Sequence, residues 1–455
     1  MVSELWFSRL GAQLWAAAVE DGRIVEIHHD WPRHDAASLG SIYLAKIQRI
    51  VPQLGAAFVA LGPGCEGYLE AGDLLAEGNK EDKLAALQAG QAVIVQVRRE
   101  AHAGKRARVT AKLELAGTRM TVRPYGSGVA VSRRIGCEPE RERLARWARS
   151  AGGRILLRTA AADVSEGILQ EERDALSRRF ERLAARAREA SAPCRLESGP
   201  GVLRRLIRDY AARGLRRVVV ETERDSSIAE AMLGSETLVE RHAGPTPLIH
   251  SAGIWSTALQ GLETRLELPS GATLSIEPTQ ALWAIDVNAA AVHGTGGGGT
   301  TAAAINGEAV GRIAAEIRLR DIAGTIVIDF LDSANDAEQQ IVAERLRAAV
   351  RSDRRYLRIG GWTPLGLCEM ARRRVGPGLL ERLGTPSRPT PWGRAARILA
   401  TIAASPGSTR GHVATVDAPT GEALRASIEG AETAPGDLEV VVEERIRGGH
   451  RLERR

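Results

Sequence analysis

Residues 281–290 read ALWAIDVNAA, and residues 324–332 read GTIVIDFLD. In both, an apolar run closes on an aspartate: Asp286 follows Leu282-Trp283-Ala284-Ile285, and Asp329 follows Ile326-Val327-Ile328. Such a run bounded by an acidic residue is the pattern of a buried strand reaching the surface. Two strands delivering carboxylates to one rim offer the hard oxygen ligands that a divalent cation takes. Asp286, Asn288 and Asp329 are therefore a candidate magnesium site. On spacing alone, both aspartates read equally well as ordinary strand-end or turn residues. The loop between them, HGTGGGGTTAAA from His293, could bring backbone amides near phosphate; a plain flexible loop fits the same composition.

Working outward, 455 residues with 44% hydrophobic content predict about two to four globular domains. No apolar run approaches the ~18 residues of a membrane span. Glu4 and Arg9 fall where a signal peptide needs an apolar core, so none is read. The cysteines Cys65, Cys137, Cys194 and Cys368 are scattered, without a CxxC pair. That spacing argues against a zinc ribbon or a disulfide framework and suits a reducing cytoplasm. The formal charge is +6, and its cations are mostly arginine. Arginine suits phosphates and stacked bases, but a GC-rich genome gives the same excess of Arg along with Ala and Gly, so the charge alone does not assign a nucleic-acid partner.

Along the chain, residues 1–30 predict a hairpin through Asp21-Gly22. Residues 41–117 hold short strands punctuated by turn residues, the pattern of a small barrel, with the OB-fold as leading candidate. Phe58 and Tyr68 fall on neighbouring strands, with Lys46, Arg49, Lys105 and Arg106 nearby in sequence. Aromatics ringed by cations suit single-stranded RNA, although barrel core is the alternative for Phe58. A long helix in 165–191 carries Ile168, Leu176, Phe180 and Leu183 at helical spacing. Arg158-Thr159 ends a short strand, where a guanidinium and a hydroxyl can take a terminal phosphate. Residues 206–270 alternate helix and strand and close on a hairpin, ETRLELPSGATLSIE, with a Pro-Ser-Gly turn. This segment has the content to take up the N-terminal hairpin. Helices are expected over GEAVGRIAAEIRLRD and DAEQQIVAERLRAAVRSD, and a third from Pro364 to Arg374. The last fifty or so residues read as strand, helix, strand.

In order along the chain stand SIYLAKIQRI, AAFV (56–59), GK (104–105), SRRI (132–135), RTA (158–160), AIDVN (284–288), NGEA (306–309), RLRDIAG (318–324), IVIDF (326–330) and GLCEMARRR (366–374). With these motifs the chain resembles the ribonuclease E/G family, the endoribonucleases of bacterial RNA decay and ribosomal RNA maturation. The resemblance implies an α/β multidomain chain. Its expected parts are an RNase H-like subdomain (1–35 and 206–270), an inserted OB-fold barrel (36–117), a 5′-phosphate sensor region (118–205), a DNase I-like α/β catalytic subdomain (271–375), and a linker with a small C-terminal α/β unit (376–455).

The resemblance also assigns roles. Asp286 and Asp329 become Mg²⁺ ligands, with Asn288 in the same catalytic motif. Phe58, Tyr68 and Lys105 become RNA contacts. Gly117, Thr121, Arg158 and Thr159 become the 5′-monophosphate pocket, with Thr121 standing where the family pattern has an apolar residue. The family's CPxC zinc link is replaced here by LGTPSRPTPWG, so no structural zinc is expected and any homodimer is not zinc-linked. The implied reaction is Mg²⁺-assisted hydrolysis of internal phosphodiesters in single-stranded, 5′-monophosphorylated RNA, in rRNA maturation or mRNA decay. A non-catalytic RNA-binding member of the family and a DNase-like phosphodiesterase are the rival readings.

Overall fold

The computed structural model describes residues 1–31, 37–102, 104–233, 237–289, 302–332, 336–404, 411–429, 431, 438–443, 445–446 and 448–454. The glycine run 294–299 lies outside the described residues. The chain divides into two compact units, Met1–Pro32 with Gly214–Arg455, and Arg33–Arg213.

The first unit holds a five-stranded sheet in the order Leu238–Arg241, Arg217–Val220, Glu4–Leu10, Gln13–Glu20, Arg23–Asp30. Asp21 (φ 50°) and Gly22 (φ 73°) both adopt the left-handed conformation that a two-residue hairpin turn requires. Glu4–Leu10, a strand the hairpin reading omitted, pairs parallel with Arg217–Val220 and so joins the N-terminus to a segment two hundred residues on.

The second sheet of this unit has six strands: Arg265–Glu267, Thr273–Pro278, Trp283–Asn288, Gly324–Asp329, Cys368–Arg372 and Leu357–Trp362. Trp283–Asn288 and Gly324–Asp329 lie parallel, the connection between them carrying the helix Ala302–Leu319. Trp283, Ile285, Val287, Ile326 and Ile328 are buried, in one core cluster with Ile305, Ala309, Ile313, Val342 and Leu346 of the helices Ala302–Leu319 and Asp336–Ala349. The intervening residues Ala284, Asp286, Asn288 and Asp329 are exposed, as the two-residue period of a strand dictates.

From the 206–270 segment, the N-terminal strands take up Arg217–Val220 as expected, whereas its closing hairpin, residues 265–278, pairs with Trp283–Asn288. The segment expected to begin a third helix at Pro364 is instead the strand Cys368–Arg372: Cys368, Met370 and Arg372 are buried while Glu369 and Ala371 are exposed, which is period two. Burial pushes the Cys368 thiol up to about 11.

The C-terminal strands His412–Val416, Leu438–Val442 and His450–Arg454 form a small sheet, with the helix Ala418–Ile428 crossing between the parallel pair. It sits against the N-terminal sheet: Ala12 N donates to the Ser427 carbonyl at 2.6 Å, and Gln13 Nε2 to Ser427 Oγ at 2.8 Å. The proline-rich stretch before it ends in the helix Pro391–Ala403, where Thr390 Oγ1 accepts from Gly393 N. A Cβ at Gly393 would stand 2.0 Å from the Leu383 carbonyl oxygen, so only glycine fits there. Among the described residues, no helix is long and apolar enough to cross a membrane.

In the second unit, five strands close into a barrel: Ile42–Val51, Ala56–Gly62, Cys65–Glu70, Ala107–Thr110 and Ala92–Arg99, the last pairing back to the first. Beside it, in the same unit, lies a four-stranded sheet in the order Val129–Val131, Ile155–Leu157, Met120–Val122, Leu115–Ala116, packed on the helix Glu166–Glu189. That helix buries Leu169, Leu176 and Leu183, an i, i+7, i+14 series. Leu176 and Leu183 lie on the expected face, with Phe180 packed beside it, but Ile168 is 43% exposed and Leu169 takes its place.

A buried ion network braces the six-stranded sheet. Arg372, on the strand beside Gly324–Asp329, donates through Nη1 to Asp321 Oδ1 and through Nε to Asp353 Oδ2, both at 2.7 Å. Arg355 donates to Asp321 Oδ2. Burial alone would raise the Asp321 carboxyl; the Arg355 and Arg372 guanidiniums outweigh it and hold it well below the usual carboxylate range. A carboxylate depressed in this way stabilises the fold above its unfolded-state pKa, and that contribution is lost as pH falls towards the folded value. Asp321→Asn should therefore cost roughly 3–5 kcal/mol in denaturant melts at neutral pH. It should also flatten the loss of stability below about pH 4; a variant as acid-sensitive as wild type contradicts this.

Candidate functional site

The register between the two parallel strands sets Asp286 directly opposite Asp329. Both residues lie near the carboxyl ends of their strands, on the exposed face. Asn288, two residues past Asp286, projects from the same face. Thr273–Pro278 flanks the pair on the other side and carries exposed Glu277, whose Cα partner is Ala284. Partial burial, then the charges of Asp329 and Glu277, raise the Asp286 carboxyl above its ordinary value. Like charges held this close favour a counter-cation. Among the described residues, no group of three or more His, Cys, Asp or Glu is close enough to hold a metal ion. The residues that would hold a cation here are two carboxylates, Asp286 and Asp329, with the Asn288 amide oxygen on the same face. This set is hard, oxygen-only and incomplete without water, which fits Mg²⁺ and does not fit the N/S-rich sets that zinc takes.

On the barrel, one row of residues crosses four strands: Arg49 opposite Phe58, Phe58 opposite Tyr68, Tyr68 opposite Arg108. Phe58 is half-buried on the outer face while Ala57 and Val59 point inward, because the strand alternates. The Phe58 and Tyr68 rings meet edge to face at 5.7 Å, and the guanidinium carbons of Arg49 and Arg106 lie 4.9 Å from the Phe58 centroid. Lys105 is exposed in the turn beside Arg106, and Arg106 itself pairs with Glu66.

At one end of the four-stranded sheet, Arg158 and Thr159 follow the strand Ile155–Leu157. Arg158 N donates to the Arg119 carbonyl at 2.8 Å, and its Nη2 reaches Asp209 Oδ1 at 3.3 Å. Thr159 Oγ1 lies 3.0 Å from Ser132 Oγ. Gly117 donates to the Met120 carbonyl, closing the neighbouring turn. A Cβ on Gly117 would collide with Glu172 Oε1 at 2.1 Å, and that oxygen accepts from the amides of Arg119 and Met120. Buried Thr121 pairs with Leu156 across the ladder, one residue in from the sheet end. The structure thus gathers Gly117, Arg158 and Thr159 at one sheet end, with Thr121 set just inside it. Sequence reasoning passed over Ser132, Asp209, Arg108 and Glu277. SRRI held the one signal for Ser132; the others become visible only through strand register or a helix turn.

An acidic rim on a mixed sheet, carried in one chain with a closed barrel that presents an aromatic and arginine row, defines a multidomain α/β class. The chain belongs to the Ribonuclease E/G family, whose model matches residues 114–375. It is 33% identical over 361 residues to a Ribonuclease E of Nostoc sp., covering 76% of this chain and 52% of that protein. It is 32% identical over 387 residues to Ribonuclease E of Escherichia coli, covering 81% of this chain and 36% of that protein. It is 29% identical over 395 residues to a Ribonuclease G of Salmonella typhimurium, covering 82% and 80%. The chain thus spans about half the length of the Nostoc relative and less of the Escherichia coli Ribonuclease E.

The electrostatic coupling has a direct check. In metal-free protein, Asp329→Asn should move the Asp286 titration midpoint down, towards the ordinary aspartate value near ~4, as followed by carboxyl ¹³C NMR. An unchanged midpoint would mean that the two carboxylates do not sense each other.

Proposed function

We propose that the chain is an Mg²⁺-dependent endoribonuclease that hydrolyses internal phosphodiesters of single-stranded RNA and favours 5′-monophosphorylated substrates. The observation that carries this reading is the Asp286–Asp329 register with Asn288 on the same face, in a chain of the Ribonuclease E/G family. The relatives' names supply the substrate class. Strand order supports an OB-fold for residues 36–117: five strands closed by a pairing of fourth to first, with third and fifth parallel and the helix Lys80–Ala85 between third and fourth. Residues 118–205 would form the end-sensing region. Residues 1–32 with 214 to about 262 would make the RNase H-like part, the helix Val202–Tyr210 staying with the unit that holds the barrel. The DNase I-like part would begin with the 265–278 hairpin and run to 375, followed by the linker and small unit of 376–455.

In this mechanism Asp286 and Asp329 would hold Mg²⁺, with Asn288 positioning the attacking water or the scissile phosphate. When bound, the ion supplies positive charge beside the phosphate's non-bridging oxygens and acidifies a nearby water. Asp286 must be ionised for this; partial burial and the charges of Asp329 and Glu277 raise its carboxyl above the ordinary value, so protons compete with the cation as pH falls. Phe58 and Tyr68 would stack unpaired bases, while Arg49, Lys105, Arg106 and Arg108 offer charge to the backbone. Gly117, Thr121, Arg158 and Thr159 would hold a terminal phosphate, raising the rate by positioning the strand rather than by chemistry. This reading carries with it a cytoplasmic setting, a role in rRNA maturation or mRNA decay, and a homodimer, if one forms, without a zinc link.

The test is cleavage of a fluorescent 5′-monophosphate oligoribonucleotide in Mg²⁺ or EDTA. Asp286→Asn and Asp329→Asn should each lower kcat by roughly 10²–10³-fold, the scale for removing one preorganised charge at a reacting centre. Phe58→Ala should weaken RNA binding by about 5- to 100-fold, the range of one lost stacking contact. Arg158→Ala should equalise 5′-monophosphate and 5′-hydroxyl substrates. Cleavage indifferent to both aspartates would sink the site, and tight RNA binding without cleavage by wild type would favour the non-catalytic reading.

A further inference from the structure

Asn306 is 1% exposed, on the core face of the helix Ala302–Leu319 among Ile305, Ala309, Val310 and Ile313. A carboxamide in that setting costs stability unless every polar atom is partnered. Its partners lie outside its own helix. Asn306 Oδ1 accepts from Leu331 N at 3.0 Å, and Asn306 Nδ2 donates to the Leu331 carbonyl at 2.8 Å. The side chain thus behaves as a one-residue strand, satisfying both backbone groups of Leu331 as a ladder neighbour would.

Where this happens matters. The strand Gly324–Asp329 pairs with Cys368–Arg372 only as far as Ile328, opposite Cys368. From Asp329 onward, the ladder on that side has ended. Asp329 is the last residue of its strand, and Leu331 stands two residues beyond it. Phe330 between them is buried, which fixes the chain at a second point. The backbone carrying the Asp329 carboxylate is therefore held upstream by the sheet and downstream by Asn306. The helix that supplies Asn306 is also the crossover joining the two carboxylate strands.

We propose that Asn306 is a positioning residue that fixes the Asp329 carboxylate in the geometry needed to share a divalent cation with Asp286. The inference rests on the metal-site reading above and adds to it the element that sets ligand spacing. A supporting group of this kind typically changes metal affinity about 10- to 100-fold when removed. Asn306→Asp keeps an acceptor for Leu331 N–H but loses the donor to the carbonyl. Asn306→Ala loses both bonds.

The experiment measures Mn²⁺ binding to the full chain without RNA, from the decrease in the free Mn²⁺ paramagnetic-resonance signal, beside thermal melts of each metal-free variant. Asp329→Asn marks the site, and Ile313→Ala, two turns along the same helix and with no part in the Leu331 hydrogen bonds, controls for lost stability. The expected result is a Mn²⁺ dissociation constant raised about tenfold or more in both Asn306 variants, against little change in Ile313→Ala at a similar loss of melting temperature. Asn306 variants that bind Mn²⁺ no more weakly than Ile313→Ala overturn the proposal. If wild type binds no Mn²⁺, or Asp329→Asn binds it unchanged, the underlying site reading fails and this inference fails with it.

Discussion

The structure turns on one backbone pairing, the parallel ladder that matches Trp283 with Ile326 and, three residues on, Asp286 with Asp329. Strand side chains alternate, so a slip of one residue would turn a carboxylate into the core and an isoleucine into water. The buried set of Trp283, Ile285, Val287, Ile326 and Ile328 against the helices behind it prevents that slip. Hydrophobic burial thereby fixes an electrostatically unfavourable juxtaposition. Ionised Asp286 faces Asp329 and Glu277, and the fold tolerates this because the apolar face, not the carboxylates, sets the register.

Other parts of the unit serve the same pairing from a distance. Arg372 and Arg355 bind Asp321, which closes the helix-to-strand turn just before Gly324–Asp329. Asn306 holds the chain just after it. The carboxylate strand is therefore anchored at both ends by buried polar groups, costly to bury alone and stabilising only as complete sets. The barrel solves a different problem. Its outward row from Arg49 to Arg108 keeps two rings half-exposed, with guanidiniums stacked on one of them, so the apolar surface meets water beside charge.

Much of this was legible in the sequence because its signals are local. Apolar-apolar-Asp runs, the Asp21-Gly22 turn and the short barrel strands each depend on neighbours within a few residues. What was missed depends on partners far along the chain. GLCEMAR resembles a helix until its alternation is seen against Gly324–Asp329, where Cys368 and Met370 face the core. The 265–278 hairpin could join either sheet from pattern alone; its pairing with Trp283–Asn288 decides it. Ile168 and Leu169 compete for one helical stripe, and only the packed face selects Leu169. Among the site residues, Asp286, Asn288 and Asp329 stood out as motif. Asn306 stood in a motif too, but its purpose is visible only in its two bonds to Leu331.

Under the proposed function, the paired carboxylates share one divalent cation. The most direct measurement is anomalous X-ray diffraction from crystals of the protein soaked in Mn²⁺, a heavier stand-in for Mg²⁺. A peak between the Asp286 and Asp329 carboxylates, at about 2.0–2.3 Å from an oxygen of each, is the predicted result. A crystal with Mn²⁺ at other sites and none between these two residues would contradict it.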